Sequence, residues 1–403
     1  LKKVIQINSV SNSGSTGRIA EQIGSKAIEN NWSSFIAYGR YANSSSSKLI
    51  KIGSKKDFYG HLFKSFVLGQ HGLGSENATS ELIRQINDIQ PDVIHFHNLH
   101  GYYINYKILF KYLEKFKGHI FWTLHDCWSF TGHCSHFSDI NCNKWIDGCN
   151  TCPKIKNYPK SLFFDTSKEM YLLKKSQFCN IDNLHIVTVS DWLNNLVSKS
   201  FLKEYDITTI HNGVDLSIFK PKEKNDILLT KYQLSNKYIM ITASTSWTKH
   251  KGFEDYLKLS ALLREDEIII MIGLNEEKIK KLPSNIIGIK KTESQLELSD
   301  WYNIADLVLN LSYQETFGMT SAEGFACGIP TIVYNATASP ELVSHERLGY
   351  IDDPGLINDV YESVKKIRKN GSDFYSDFCR TTAMDKYNMD TQCQKYINLY
   401  QDL

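Results

Sequence analysis

The chain has 403 residues, too many for one ordinary hydrophobic core, so two or three domains are expected and two large ones fit best. Its 42% hydrophobic and 22% charged residues are those of a soluble globular protein, and a net charge of +2 gives no reason to expect a nucleic-acid partner. No apolar run reaches the ~18 residues of a membrane span, and the opening LKKVIQINSV lacks the long apolar stretch of a signal peptide, so a cytoplasmic location is expected. Nine cysteines without an export signal favour reduced thiols or a metal site over a disulfide framework.

In chain order, Val4 to Ile7 reads as a strand, SNSGSTG as a glycine-rich loop, and Arg18 to Ile28 as a helix. Gly14 and Gly17 would let that loop approach a ligand, with Arg18 as an anion partner; a plain tight turn is the competing reading. Phe35 to Tyr38 reads as a second strand and Glu81 to Ile89 as a helix ending before Pro91. DFYGHLFKSFVLGQHG, from Asp57, mixes aromatics with Lys64; it reads either as a helix resting on a membrane surface or as an amphipathic core helix. DVIHFHN is a buried strand ending in His97 and Asn98, and Ile120 to Leu124 is another ending in His125 and Asp126. Ligands in open α/β sheets sit outside the carboxyl ends of parallel strands, which makes both histidines pocket candidates. Alternatively each imidazole simply satisfies neighbouring backbone groups.

Cys134, Cys142, Cys149 and Cys152 lie within HCSHFSDINCNKWIDGCNTCP. The last two have C-x-x-C spacing, and four thiolates can form a closed tetrahedral zinc shell, with His133 and His136 as substitutes. The first pair has seven residues between its members, looser than a zinc ribbon, so free thiols and disulfides stay open. A bound metal would pin a long loop.

His185 to Val189 continues the strand and helix alternation, which means a doubly wound parallel sheet. In the linker, Ile207 to Ile210 reads as a strand, HNGVD as a turn and Phe219 to Pro221 as its exit. A second alternating pattern follows: strands at Tyr238 to Ala243, Glu267 to Gly273, Ile286 to Ile289, Leu307 to Leu311 and Thr331 to Tyr334. SWTKHKGF places Lys249 and Lys251 after the first of these strands, where a diphosphate would find point charges; an exposed basic loop is the plain alternative. ETFGMTSAEGFACG follows the fourth, with Glu315 and Glu323 on either side of a helix start at Gly318. Unpaired N–H groups and the dipole there seat a phosphate, and two carboxylates suit sugar hydroxyls. The alternative is a helix capped by Thr320 with Glu323 on a solvated face.

ETFGMTSAE with GFACGIPTIV, HNGVDLSIF and the KG loop resembles the retaining GT-B glycosyltransferases of family four across nearly the whole chain. HNLHGYYIN, WTLHDCWSFTGHC and the KW, GC and CP elements resemble the bacterial subgroup of colanic acid, capsule and O-antigen synthesis. The resemblance implies an α/β fold of two doubly wound Rossmann-like domains facing a central cleft. It places an acceptor-side domain at 1–205 with a Cys-rich insertion at 127–153, a linker at 206–221, a nucleotide-sugar domain at 222–385, and a helix at 386–403 crossing back, with closure over the donor. It implies that Glu323 holds the ribose, Glu315 lies by the donor sugar, and Gly318, Met319 and Thr320 offer backbone contacts. Lys251 would meet the diphosphate and His125 the donor hexose, with the Gly14 to Gly17 loop opposite; His97 and Asn98 fall on the acceptor side. Many relatives carry an arginine five residues before the KG-loop lysine; here that residue is Ser246, and Lys249 is the candidate replacement.

The implied activity is a metal-independent hexosyltransferase moving sugar from a UDP or GDP donor to a glycan or lipid-linked glycan acceptor at the inner membrane face. No D-x-D element is placed to hold a divalent ion at the donor site, and no cofactor is expected beyond the candidate structural zinc. Without an evident nucleophile, same-face attack is favoured. A nucleotide-sugar 2-epimerase and a zinc-bearing nucleic-acid module are the alternatives.

Overall fold

The computed structural model describes residues 1–402; Leu403, the end of the expected C-terminal helix, lies outside the described residues. The chain divides into two compact units, one of Leu1–Ile210 with the segment from Gln392 onward, the other of His211–Thr391.

The first unit is built on seven parallel strands: β1 (Lys3–Asn8), β2 (Ser33–Tyr38), β3 (Lys48–Lys51), β4 (Val93–Phe96), β5 (His119–Leu124), β6 (Leu184–Thr188) and β7 (Ile207–Thr209). They run in the order β3-β2-β1-β4-β5-β6-β7. Val4, Ile5, Ile7, Ile94, Phe96, Phe121 and Ile186 are fully buried, as strands covered by helices on both faces must be. The order reverses between β1 and β4, so the loops leaving those two strands diverge and open a crevice at their carboxyl ends. The last helix, Met389–Gln401, enters this unit from Gln392, where the Tyr400 hydroxyl meets His95 Nδ1 at 2.6 Å and the Tyr396 hydroxyl accepts from Thr123 at 3.3 Å.

The second unit carries six parallel strands: β8 (Tyr238–Ala243), β9 (Glu267–Ile272), β10 (Ile286–Ile289), β11 (Leu307–Asn310), β12 (Thr331–Tyr334) and β13 (Gly349–Asp352). Their order, β10-β9-β8-β11-β12-β13, repeats the same design with its reversal between β8 and β11.

The strand expected at Ile207 to Ile210 is present as Ile207–Thr209, paired with β6 at the sheet edge, and Phe219 is buried against Tyr302 in the second unit. Two expectations need correction. The helix expected from Asp57 starts at Lys55, behind a capping box between Ser54 and Asp57, and runs to Leu68. It is no core helix, since only His61 and Ser65 are buried while Tyr59 is 64% and Phe63 61% exposed. β3 and β13 are additional to the expected strands; both are short edge strands with little buried surface, so their residues carry no apolar run.

Candidate active site

At the β8/β11 reversal the two expected segments meet. The chain leaves β8 through Ser244 to Lys251, held by Trp247, whose buried indole Nε1 donates to the Ile272 carbonyl at 2.9 Å. The Tyr313 amide donates to the His250 carbonyl at 2.9 Å, so the loop after β11 is tied to the loop after β8. The result is an ion pair of Lys251 Nζ with Glu315 Oε1 at 2.5 Å. Its side chains keep 30% and 17% of their surface exposed, so the pair is open to exchange with a ligand. Lys249 is exposed on the single turn before it, and Ser246 faces solvent in the same loop.

Gly318 caps the helix Met319–Ala326 with φ +108°, a left-handed conformation, and a Cβ there would meet Leu342 Cδ1 at 2.7 Å. No side chain caps this end, and the first-turn N–H groups of Met319 and Thr320 have no acceptor within the helix. Thr320 is not the cap: its hydroxyl donates to the Ala243 carbonyl at the end of β8, at 3.0 Å. Glu323 is buried, with Oε2 accepting the Tyr302 hydroxyl at 3.0 Å, so the solvated-face reading of that residue is overturned. Burial and the neighbouring Glu323 carboxylate hold the Tyr302 phenol well above its ordinary range. Asp255, which the sequence reading missed, braces the floor by accepting from Tyr313 at 2.6 Å and Tyr334 at 2.9 Å. A lone buried aspartate inside a helix sequence carries no signal of those partners.

At the β1/β4 reversal of the first unit a row of imidazoles is fixed by hydrogen bonds. Gln6 Nε2 donates to the Ala20 carbonyl at 2.7 Å, which turns its Oε1 toward His97 Nε2 at 2.9 Å. An amide oxygen only accepts, so His97 carries its proton on Nε2 and offers Nδ1 as acceptor. His125 Nε2 lies 3.0 Å from that Nδ1 and must be the donor, which leaves His125 Nδ1 as the bare lone pair. Burial drives the His97 pKa far below its ordinary value and that of His125 down to about 4, so both rings are neutral at physiological pH.

His97 is therefore not placed to touch an acceptor as expected: it is 1% exposed and both ring nitrogens are engaged. It positions His125, which is 9% exposed. The Asn98 amide donates to Asn8 Oδ1 at 3.3 Å, joining the loop after β4 to the end of β1. Gly17 serves packing, because a Cβ would meet Val10 Cγ2 at 2.9 Å; Gly14 sits at the exposed helix start, and Arg18 Nε donates to its carbonyl at 3.1 Å.

Beside His125, His100 Nε2 and Asp126 Oδ2 are 2.7 Å apart, and Tyr158 approaches His100 Nδ1 at 2.9 Å. Burial raises the Asp126 pKa, yet His100 and the Trp128 amide outweigh it and bring it to about 2. His100 lies within the HNLHGYY string, but nothing in the sequence showed that it faces Asp126.

Cys134, Cys142, Cys149 and Cys152 line one pocket with His133, and none of the nine cysteines is in a disulfide. Cys134 and Cys152 are in thiol hydrogen-bond contact, but no three of the sulfurs lie within 4.8 Å of one another.

Two doubly wound parallel sheets, each with polar side chains gathered at its strand ends, are the fold of the GT-B glycosyltransferases. Residues 225–381 match the family of glycosyl transferases group 1. Among curated proteins the chain resembles a putative colanic acid biosynthesis glycosyl transferase, WcaC of Escherichia coli (strain K12). That protein is 28% identical over 336 residues, covering 80% of each chain. Among solved structures, sucrose-phosphate synthase from Thermosynechococcus elongatus is 12% identical with a TM-score of 0.72, covering 100% of this chain and 99% of that one. HepE of Anabaena, solved in complex with UDP, is 14% identical with a TM-score of 0.67 and covers all of both chains. At these identities the solved structures speak for the fold alone.

Proposed function

We propose that this glycosyltransferase moves a hexose, with retention of configuration, from a UDP or GDP sugar to a lipid-linked glycan acceptor in bacterial surface polysaccharide synthesis. The observation that carries the donor half is the Lys251–Glu315 ion pair at the β8/β11 reversal, 2.5 Å long and partly exposed, beside the uncapped helix start at Gly318. A bound diphosphate takes the Lys251 ammonium, and the Met319 and Thr320 N–H groups supply further donors for charge growing on the leaving oxygen. Freed from the lysine, Glu315 accepts from sugar hydroxyls, while Glu323, steadied by Tyr302, receives the ribose. Positive charge from lysine and backbone does the work that a divalent ion does in other transferases, so the reaction proceeds without one. His125, neutral and with Nδ1 as acceptor, accepts a hydrogen bond from a hydroxyl of the donor hexose and orients it. The UDP-bound HepE structure and the colanic acid relative support the nucleotide-sugar and polysaccharide parts of this reading.

The membrane side rests on an exposed aromatic face of the first unit. Tyr59 and Phe63 on the helix Lys55–Leu68 are continued by Leu162, Phe163 and Phe164, of which Phe163 is 72% exposed. The Leu162 amide donates to the Phe66 carbonyl at 2.9 Å, so loop and helix form one surface, and exposed Lys55, Lys56 and Lys160 flank it. Aromatics with a lysine fringe suit the interface of an anionic bilayer. Among the described residues no helix is long and apolar enough to cross it. Neither the epimerase nor the nucleic-acid reading is favoured by any observation.

The test is a thermal-shift panel with UDP, GDP, ADP, CMP and dTDP, on the wild type and on Glu323→Gln, without added metal. A nucleotide at ~100 times its dissociation constant stabilises by roughly 2.7 kcal/mol. A shift with UDP or GDP that shrinks in the variant supports the reading; no shift with any of the five, with or without magnesium, sinks it.

A further inference from the structure

Thr131 lines the cysteine pocket, and its carbonyl accepts from a buried lysine that no carboxylate pairs among the described residues. Lys174 is fully buried; its Nζ donates to the Trp128 carbonyl at 2.6 Å and the Thr131 carbonyl at 3.0 Å, and stands 3.5 Å from the centre of the Trp128 indole. Among the described residues no carboxylate forms an ion pair with it. Carbonyls and a ring solvate an ammonium only in part, and burial lowers the Lys174 pKa to about 7, so a nearby anion would be needed to keep it fully charged. The acidic groups acting on it are the Cys149 and Cys134 thiols and Asp126. Asp126 is already committed, one oxygen to His100 and the other to the Trp128 amide at 2.8 Å. Thr131, whose carbonyl Lys174 holds, lines the pocket with all four cysteines, whose sulfurs could bear a compensating charge as metal-bound thiolates.

We propose that Cys134, Cys142, Cys149 and Cys152 bind a structural zinc ion, with Lys174 as its buried counter-charge. Zinc(II) held by four thiolates carries a net charge of about −2, which a neighbouring ammonium offsets in part. The four thiols lose their protons to solvent as four Zn–S bonds form, with no redox change. Several contacts hold the ligands around one pocket. The Gly132 amide donates to Cys149 Sγ at 3.2 Å, and Lys144 Nζ clamps the Asn150 and Thr151 carbonyls, both at 3.0 Å, between the last two cysteines. Trp145 Nε1 donates to the Cys142 carbonyl at 3.0 Å, and its ring packs on Phe130 and Phe137, both with centroids 5.3 Å away. Zn–S bonds of about 2.3 Å draw the sulfurs closer than they stand here.

Four protein ligands leave no open position, so the ion is structural. Its place explains what it would hold: between Thr131 and Thr166 the chain has only the short turns Ser138–Ile140 and Lys144–Asp147, too little regular structure to fix a segment of this length. The Cys152 amide also donates to Asp165 at 2.5 Å, which links the pocket to the loop bearing Phe163 and Phe164. This inference stands apart from the transfer reaction and survives its failure.

The test is metal analysis of the intact chain purified under reducing conditions from zinc-supplemented medium, with X-ray absorption at the zinc edge. One zinc per chain in a shell of four sulfurs is expected. Cys149→Ser should fall to background, while Cys179→Ser, outside the pocket, should keep the ion. Lys174→Met should retain four thiols yet yield zinc to a weaker chelator than the wild type does. If Cys149→Ser does not fold, cobalt substitution of the wild type gives the same answer through an intense tetrahedral thiolate spectrum. A metal-free wild type whose four thiols titrate as free, a Cys134–Cys152 disulfide, or a shell containing nitrogen would each overturn the assignment.

Discussion

Across the β8/β11 reversal Lys251 and Glu315 meet as charges within reach of water, whereas at the ends of β4 and β5, beside the β1/β4 reversal, His97 and His125 meet as buried neutral rings. Both pairs join the carboxyl ends of neighbouring parallel strands, so topology fixes where side chains gather and leaves open what they do. The exposed pair can be separated by a diphosphate, because each partner finds a new one. The buried pair cannot be separated at all without stranding a ring nitrogen; it holds one tautomer ready.

The sharpest way to break this contrast is to remove the exposed cation. Lys251→Ala should lower kcat by ~10²–10³, as loss of one positioned donor at a developing anion does. A steady-state assay showing only a raised KM would place the lysine in ground-state binding instead.

Next in size is the buried pair. Gln6→Leu leaves His97 Nε2–H without an acceptor and should cost ~1–3 kcal/mol of unfolding free energy by denaturant titration. Nitrogen-15 shifts should then show that His125 no longer holds a single Nε2-protonated form, a change that a purely structural role for Gln6 would not produce.

The third prediction concerns acid. His125 and His61 have folded pKa values near 4, His95 near 3, and all lie below the ordinary 6.5 because burial disfavours the charged ring. In that window the unfolded chain binds more protons, so their stabilisation is complete above about pH 6.5 and is lost as pH falls toward 4. Each contributes a slope of at most ~1.4 kcal/mol per pH unit, and denaturant midpoints from pH 7 to 4.5 should fall accordingly. A flat profile would mean that these rings are not sealed.

The smallest effect is at the aromatic face. Phe163→Ser with Phe63→Ser should weaken sedimentation with anionic vesicles by ~1 kcal/mol per ring, while changing folding stability within ~0.5 kcal/mol. Equal binding by the variant would remove the membrane reading.

What the sequence disclosed follows the same contrast. The second unit was legible because its strands are apolar runs and its site is compact in sequence: Glu315, Gly318 and Glu323 fall in one turn, and Lys251 follows its strand directly. The imidazole row was only half legible. His97 and His125 could be placed at strand ends, but Gln6 is 91 residues from its partner, and no local pattern encodes a hydrogen bond across a parallel register. The packing role of Gly17 was hidden for a related reason, since a glycine needed for close packing and one needed for a ligand look alike in a loop. Thr320 looked like a cap because threonine favours that position; its hydroxyl instead joins the helix to β8.

The most direct test of the central claim is hydrogen exchange on the wild-type chain with and without UDP and GDP. The account predicts protection by one of them in peptides spanning residues 244–252 and 311–323, together. Protection confined to other segments, with both of these unchanged at saturating nucleotide, would contradict it.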